Sequence, residues 1–197
     1  MLTYWGAQPE HSKYQISFSH LNYGTAYIVT DFSVAKYGPV FESLIDTSRV
    51  VAIDGGSVNQ DFYSALQATT VKNAFTDTIV DEDFAASCIS GAWLWNDFLD
   101  ESHTISQEIY TTTGSFWHGI MHRRECDYSN AKYWFRKVGH HEVFDSLAQE
   151  TIGLAKGEDK YGLIPGGNWD PFAFVDLCQQ AGRGDSSVLA YCQAVTR

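Results

Sequence analysis

Two imidazoles and a carboxylate, His118, His122 and Glu125, are spaced four and three residues apart in the stretch Ser115–Glu125. On an α-helix they fall within an arc of roughly 60°. Placing them together in a folded core is costly unless something binds them. Histidines at i and i+4 with a nearby carboxylate form a donor set for a divalent metal ion such as Zn, Fe or Mn. His103, on the preceding segment, is a further candidate ligand. An ion held this way activates water or polarises a carbonyl. The competing reading of the same residues is a polar helix edge. In it His122 pairs with Glu125, and Arg123 and Arg124 bind carboxylates.

On the helical wheel Trp117, Ile120 and Met121 define the apolar arc, and Arg124 falls inside it. A buried arginine requires a carboxylate partner. Asp97 and Glu101, spaced i,i+4 at the end of an expected helix over 83–101, are the nearest candidates. With Arg124 they make up the candidate catalytic set. Arg123, Lys132 and Trp117 are the candidate substrate-binding residues. Five basic side chains (Arg123, Arg124, Lys132, Arg136 and Lys137) against two acidic ones (Glu125 and Asp127) make this segment locally positive, which favours an anionic substrate group. A metal-free alternative uses Cys126, whose thiol would be activated by His122 and the adjacent arginines.

Other catalytic signatures are missing. The segment His141-Glu142-Val143-Phe144-Asp145 approaches the zinc-protease pattern H-E-x-x-H but ends in Asp. The chain has no E-x-x-H, no G-x-S-x-G nucleophile elbow and no nucleotide-binding glycine loop. The apolar run Val50–Ile53 ends in Asp54-Gly55-Gly56-Ser57, which reads either as a phosphate-holding loop or as a tight turn.

The elements that must position these residues are mostly helical. Periodicity and caps predict helices over 39–45, 61–68, 83–101, 115–125, from Asp127 or Ser129 to about 139, 142–156, 171–182 and from Asp185 onward. Residues 104–110 extend the third or form a separate turn. No C-cap precedes Arg197, as in a truncated helix. The alternating segments Tyr14–His20 and Ala26–Phe32, with the apolar run Arg49–Ile53, read as strands. The expected fold class is therefore mainly α (α+β), a helical domain over 61–197 with a small mixed α/β element over 1–60, together one compact unit.

Composition narrows the function classes. Over 197 residues, 24 acidic side chains against 13 basic ones give a net charge of −11. That balance excludes general nucleic-acid binding and anionic membrane surfaces. No apolar run approaches the length of a membrane span. The four cysteines (Cys88, Cys126, Cys178 and Cys192) form no C-x-x-C pair, and no signal peptide is legible. These features read as free thiols in a cytoplasmic protein. The leading expectation is a metal-dependent enzyme acting on a small anionic molecule. The rival is a non-catalytic ligand-binding or assembly protein, for example a homodimer, in which the polar cluster is an ion-pair network.

Overall fold

The computed structural model describes residues 34–196. Among them are ten α-helices and no strands: α1 (Pro39–Leu44), α2 (Tyr63–Ala68), α3 (Val71–Ala74), α4 (Glu82–Trp95), α5 (Leu99–Ser106), α6 (Thr112–Arg124), α7 (Tyr128–Val138), α8 (Val143–Leu154), α9 (Pro171–Ala181) and α10 (Ser186–Thr196). The fold is thus mainly helical. The expected mixed α/β element is not supported. Tyr14–His20 and Ala26–Phe32 lie outside the described residues, and Arg49–Ile53 is irregular chain rather than a strand. Val51 and Ile53 are nevertheless buried there. Their burial explains the apolar run, because two apolar anchors on a loop look the same in sequence as a short strand.

The caps follow local chemistry. Asp81, Thr111, Asp127, Asp170 and Asp185 each accept hydrogen bonds from backbone N–H groups in the first turn of the helix that follows. Pro171 occupies the first helical position of α9, where its missing N–H costs nothing. Gly139 closes α7 at φ 60°.

Two helices run through the interior. In α6 every residue from Gly114 to Arg124 is buried, and in α4 all but Glu82, Asp83, Phe84 and Ala86 are. The larger apolar cluster gathers Trp117, Ile120 and Met121 of α6 with Phe135 of α7, Leu147 of α8, Val175 of α9 and Cys192 of α10. The smaller one packs Phe41 and Leu44 of α1 and Leu66 of α2 onto Ile89, Trp93 and Trp95 of α4. Gly91 lets α4 and α6 approach: a Cβ there would stand 2.8 Å from the ring of Trp117.

The expected single helix over 83–101 is broken. Chain direction changes at Asn96–Phe98, with Asp97 in the left-handed region at φ 65°. The Asn96 amide holds the break by donating to Leu44 O and Ala92 O, both at 3.0 Å. As a consequence α5 packs on both α4 and α6. Its buried serines are small enough for close approach: Ser102 bonds Ser90 of α4, and Ser106 faces α6. No helix among the described residues is long and apolar enough to cross a membrane.

Candidate metal centre

The break at Asp97 carries His103 to α6. One ligand nitrogen each from His103, His118 and His122 lies within 4.8 Å of the others. Their ring centroids are 4.7 Å (His103–His118), 4.7 Å (His118–His122) and 5.3 Å (His103–His122) apart. A tetrahedral zinc ion with 2.0–2.1 Å bonds sets its nitrogens roughly 3.3 Å apart, so small side-chain rotations bring three imidazoles onto one ion. His118 and His122 are buried and His103 is half-buried, which leaves the cluster at the edge of the interior rather than sealed within it.

Neighbouring groups orient the rings. His118 Nδ1 lies 3.1 Å from Ser106 Oγ, and His122 Nδ1 lies 2.9 Å from Glu125 Oε2. Ser106 Oγ also lies 3.4 Å from the His103 carbonyl, so one hydroxyl links the two histidines. The Nδ1 atoms of His118 and His122 are thus engaged, and Nε2 is the nitrogen that would meet an ion, with Asn130 Nδ2 3.0 Å from it on His122. A carboxylate or hydroxyl on the far nitrogen fixes the tautomer in this way at many metal sites. Trp134 of α7 covers His118, with ring centroids 4.0 Å apart, and Lys137 lies 4.0 Å above the same indole.

Burial disfavours the charged form of the two α6 rings. Burial pulls the His118 pKa down to about 3, helped by His122, His103 and Lys137. Burial also lowers the pKa of His122, against the pull of Glu125 toward the protonated form. Neutral imidazole is the metal-binding form, so protons do not compete for these lone pairs near neutrality. The donor set fits an ion: three imidazole nitrogens gathered within 4.8 Å, one of them on the half-buried His103.

The other residues singled out in the sequence are dispersed. Glu125 caps the end of α6 and bonds His122 without joining the converging nitrogens. Arg124 is fully buried and pairs with Asp97, whose other oxygen takes Arg49. The rest of the Arg124 guanidinium donates to the carbonyls of Leu94 and Asp54. Burial lowers the Arg124 pKa, and Asp97 opposes that shift. The Asp54–Ser57 turn therefore turns carbonyls toward the arginines: Ser57 O accepts from Arg49 at 3.2 Å. Gly56 makes that possible, standing at φ 69° where a Cβ would fall 2.8 Å from the Asp97 carboxyl carbon.

Glu101 lines a surface hollow with Asp97, Asp100 and Tyr63, to which none of the three histidines contributes. Lys132 pairs with Asp176 of α9 at 2.6 Å, and Trp117 is packed in the core against Gly91. Arg123 is buried on the side of α6 that faces Cys178 and Phe174. None of these three is brought to the histidines. Trp134 stands half-buried on His118. Ser106, Asn130, Trp134 and Lys137 are the neighbours that sequence reasoning did not tie to the cluster. Only the position of Ser106 three residues past His103 carried a signal.

No protein-family model, no curated protein and no solved structure matches this chain.

Proposed function

We propose that the chain is a metal-dependent enzyme acting on a small anionic molecule, with His103, His118 and His122 holding the ion. The observation that carries this reading is the convergence of one nitrogen each from three imidazoles, with Nδ1 of His118 and His122 engaged by Ser106 and Glu125. When bound, a divalent ion supplies Lewis acidity to water or to a carbonyl or phosphoryl oxygen. The chain's own residues do the rest. Trp134 covers one face of His118 and excludes water from it. Lys137, held over Trp134, is the cation nearest the cluster by ring contact and offers the partner for an anionic substrate group. Glu125 is a positioning residue: it fixes the His122 tautomer and raises its basicity.

The test is elemental analysis of the purified chain after reconstitution with Zn²⁺, Fe²⁺ and Mn²⁺. The expected result is about one equivalent of metal retained by the wild type and lost in His118→Ala. At metal 100-fold above Kd, the wild type gains about 2.7 kcal/mol of stability that the variant lacks. A wild type that retains no metal after all three reconstitutions overturns the reading.

One contact favours a second reading. Asn130 Nδ2 lies 3.0 Å from His122 Nε2, so in the absence of an ion an amide N–H can occupy that lone pair. In this reading the cluster is a hydrogen-bonded joint between α5, α6 and α7 in a non-catalytic binding or assembly protein. Asn130→Ala separates the two. It strengthens metal binding if the amide competes with the ion, and it only destabilises the fold if the amide is structural.

A further inference from the structure

Arg123 raises a different question. It is 2% exposed, and among the described residues no carboxylate forms an ion pair with it. An uncompensated buried guanidinium is costly. What it meets is sulfur: Nη1 donates to Cys178 Sγ at 3.1 Å, while the guanidinium carbon lies 5.1 Å from the Phe174 ring centroid. Cys192 of α10 completes the group: it lies in the same apolar cluster as Cys178, on the helix packed against α9. Both sulfurs belong to the interior, at 1% and 0% exposure.

The interior is not sealed at that point. A hollow of about 270 Å³ lined by Ile53, Asp54, Cys126, Tyr128, Cys178 and Arg183 leads to Cys178, and Cys126 on its wall is exposed. A molecule the size of hydrogen peroxide fits it readily.

We propose that Cys178 and Cys192 form a peroxide-responsive dithiol, with Cys178 as the attacking sulfur, Cys192 as the resolving one and Arg123 as the charge partner of the first. Two neighbours favour the thiolate of Cys178. The Cys192 thiol donates to it and Arg123 stands beside it, and together these outweigh burial and bring its pKa down to about 6. The Cys192 thiol is pushed up by the same contact and keeps its proton. Other ionisable groups near the pair are Tyr128 of α7, Asp54 and Cys126 across the hollow.

The Cys178 thiolate attacks one peroxide oxygen, the O–O bond breaks and hydroxide leaves, and the sulfur is oxidised by two electrons to the sulfenic acid. The Cys192 proton neutralises that hydroxide. The Cys192 thiolate then displaces hydroxide from the sulfenic acid, forming the S–S bond, and that hydroxide takes up the proton Cys178 released on ionising to leave as the second water. The net change is two thiols and one peroxide to one disulfide and two waters. A cellular dithiol reductant reverses it. The disulfide would join α9 to α10, independent of any metal at the histidines.

The experiment treats the whole wild-type chain with a few equivalents of hydrogen peroxide and maps its peptides under non-reducing conditions. The expected product is one Cys178–Cys192 crosslink, with titratable thiols falling from four to two. In Cys192→Ser the reaction stops at a dimedone-reactive Cys178. In Arg123→Met, Cys178 oxidation slows at least tenfold, with native circular dichroism confirming the fold. Four intact thiols in the folded wild type, or oxidation confined to Cys126, overturns the proposal without reference to any variant.

Discussion

Helix α6 carries two buried polar clusters on different sides, and they are finished differently. On one side Arg124, Asp97 and Arg49 form a chain of charges in which the shared carboxylate engages both arginines and backbone carbonyls take up further N–H groups. On the other side His103, His118 and His122 bring one nitrogen each within 4.8 Å of one another, with Nδ1 of His118 and His122 engaged by Ser106 and Glu125. Lone pairs that face each other repel, whereas a guanidinium and a carboxylate attract. A cluster whose members satisfy each other is a structural joint. A cluster of like donors, held together by outside contacts, is arranged for something placed between them.

The sharpest way to break this contrast is to damage the charged joint. Asp97→Ala leaves Arg124 and Arg49 buried without their carboxylate and should cost about 3–5 kcal/mol in urea unfolding. A loss below about 1 kcal/mol would mean that the arginines find water or other partners, and that the two clusters do not differ as described.

On the histidine side, Glu125→Gln removes the charge on His122 Nδ1 but keeps the shape. Zinc affinity should fall about 10- to 100-fold, read by competition with a chromophoric chelator, with little change in the stability of the metal-free chain. Unchanged affinity would show that Glu125 does not support the donor set.

Proton linkage gives a third comparison. His118 is near pKa 3 in the folded chain and 6.5 when unfolded, and His141 is near 4 for the same reason, burial. Between those values the unfolded chain binds more protons. Their contribution is complete above about pH 6.5 and is lost as the pH falls toward 3–4. Urea midpoints of the metal-free protein should therefore decline from pH 7 to pH 4.5, and His118→Gln should flatten that slope.

The smallest effect belongs to Lys132→Ala. Its pair with Asp176 is largely solvated, and such pairs contribute at most about 1 kcal/mol. A larger loss in urea unfolding would give α7 and α9 a third polar joint, where apolar packing is the expected contact.

Most helices and several of their ends are legible in the sequence, because caps and apolar spacing are local chemistry; the break between α4 and α5 is not. Asp170-Pro171, Asp127 and Gly139 mark their boundaries without reference to the rest of the chain. The sequence also determined that His118 and His122 share a face, since helix geometry fixes residues four apart, and that Arg124 needs an acid, since its place on the wheel is apolar. The tertiary structure alone decided the rest. The turn at Asp97 depends on Asn96 reaching Leu44, 52 residues earlier, and without that turn His103 would not meet α6. Trp134 covers His118 only because α7 folds back on α6. Arg123 finds Cys178 55 residues later in the chain. Contacts between distant segments depend on how helices pack, and packing is set by the whole set of side chains at once rather than by any one spacing.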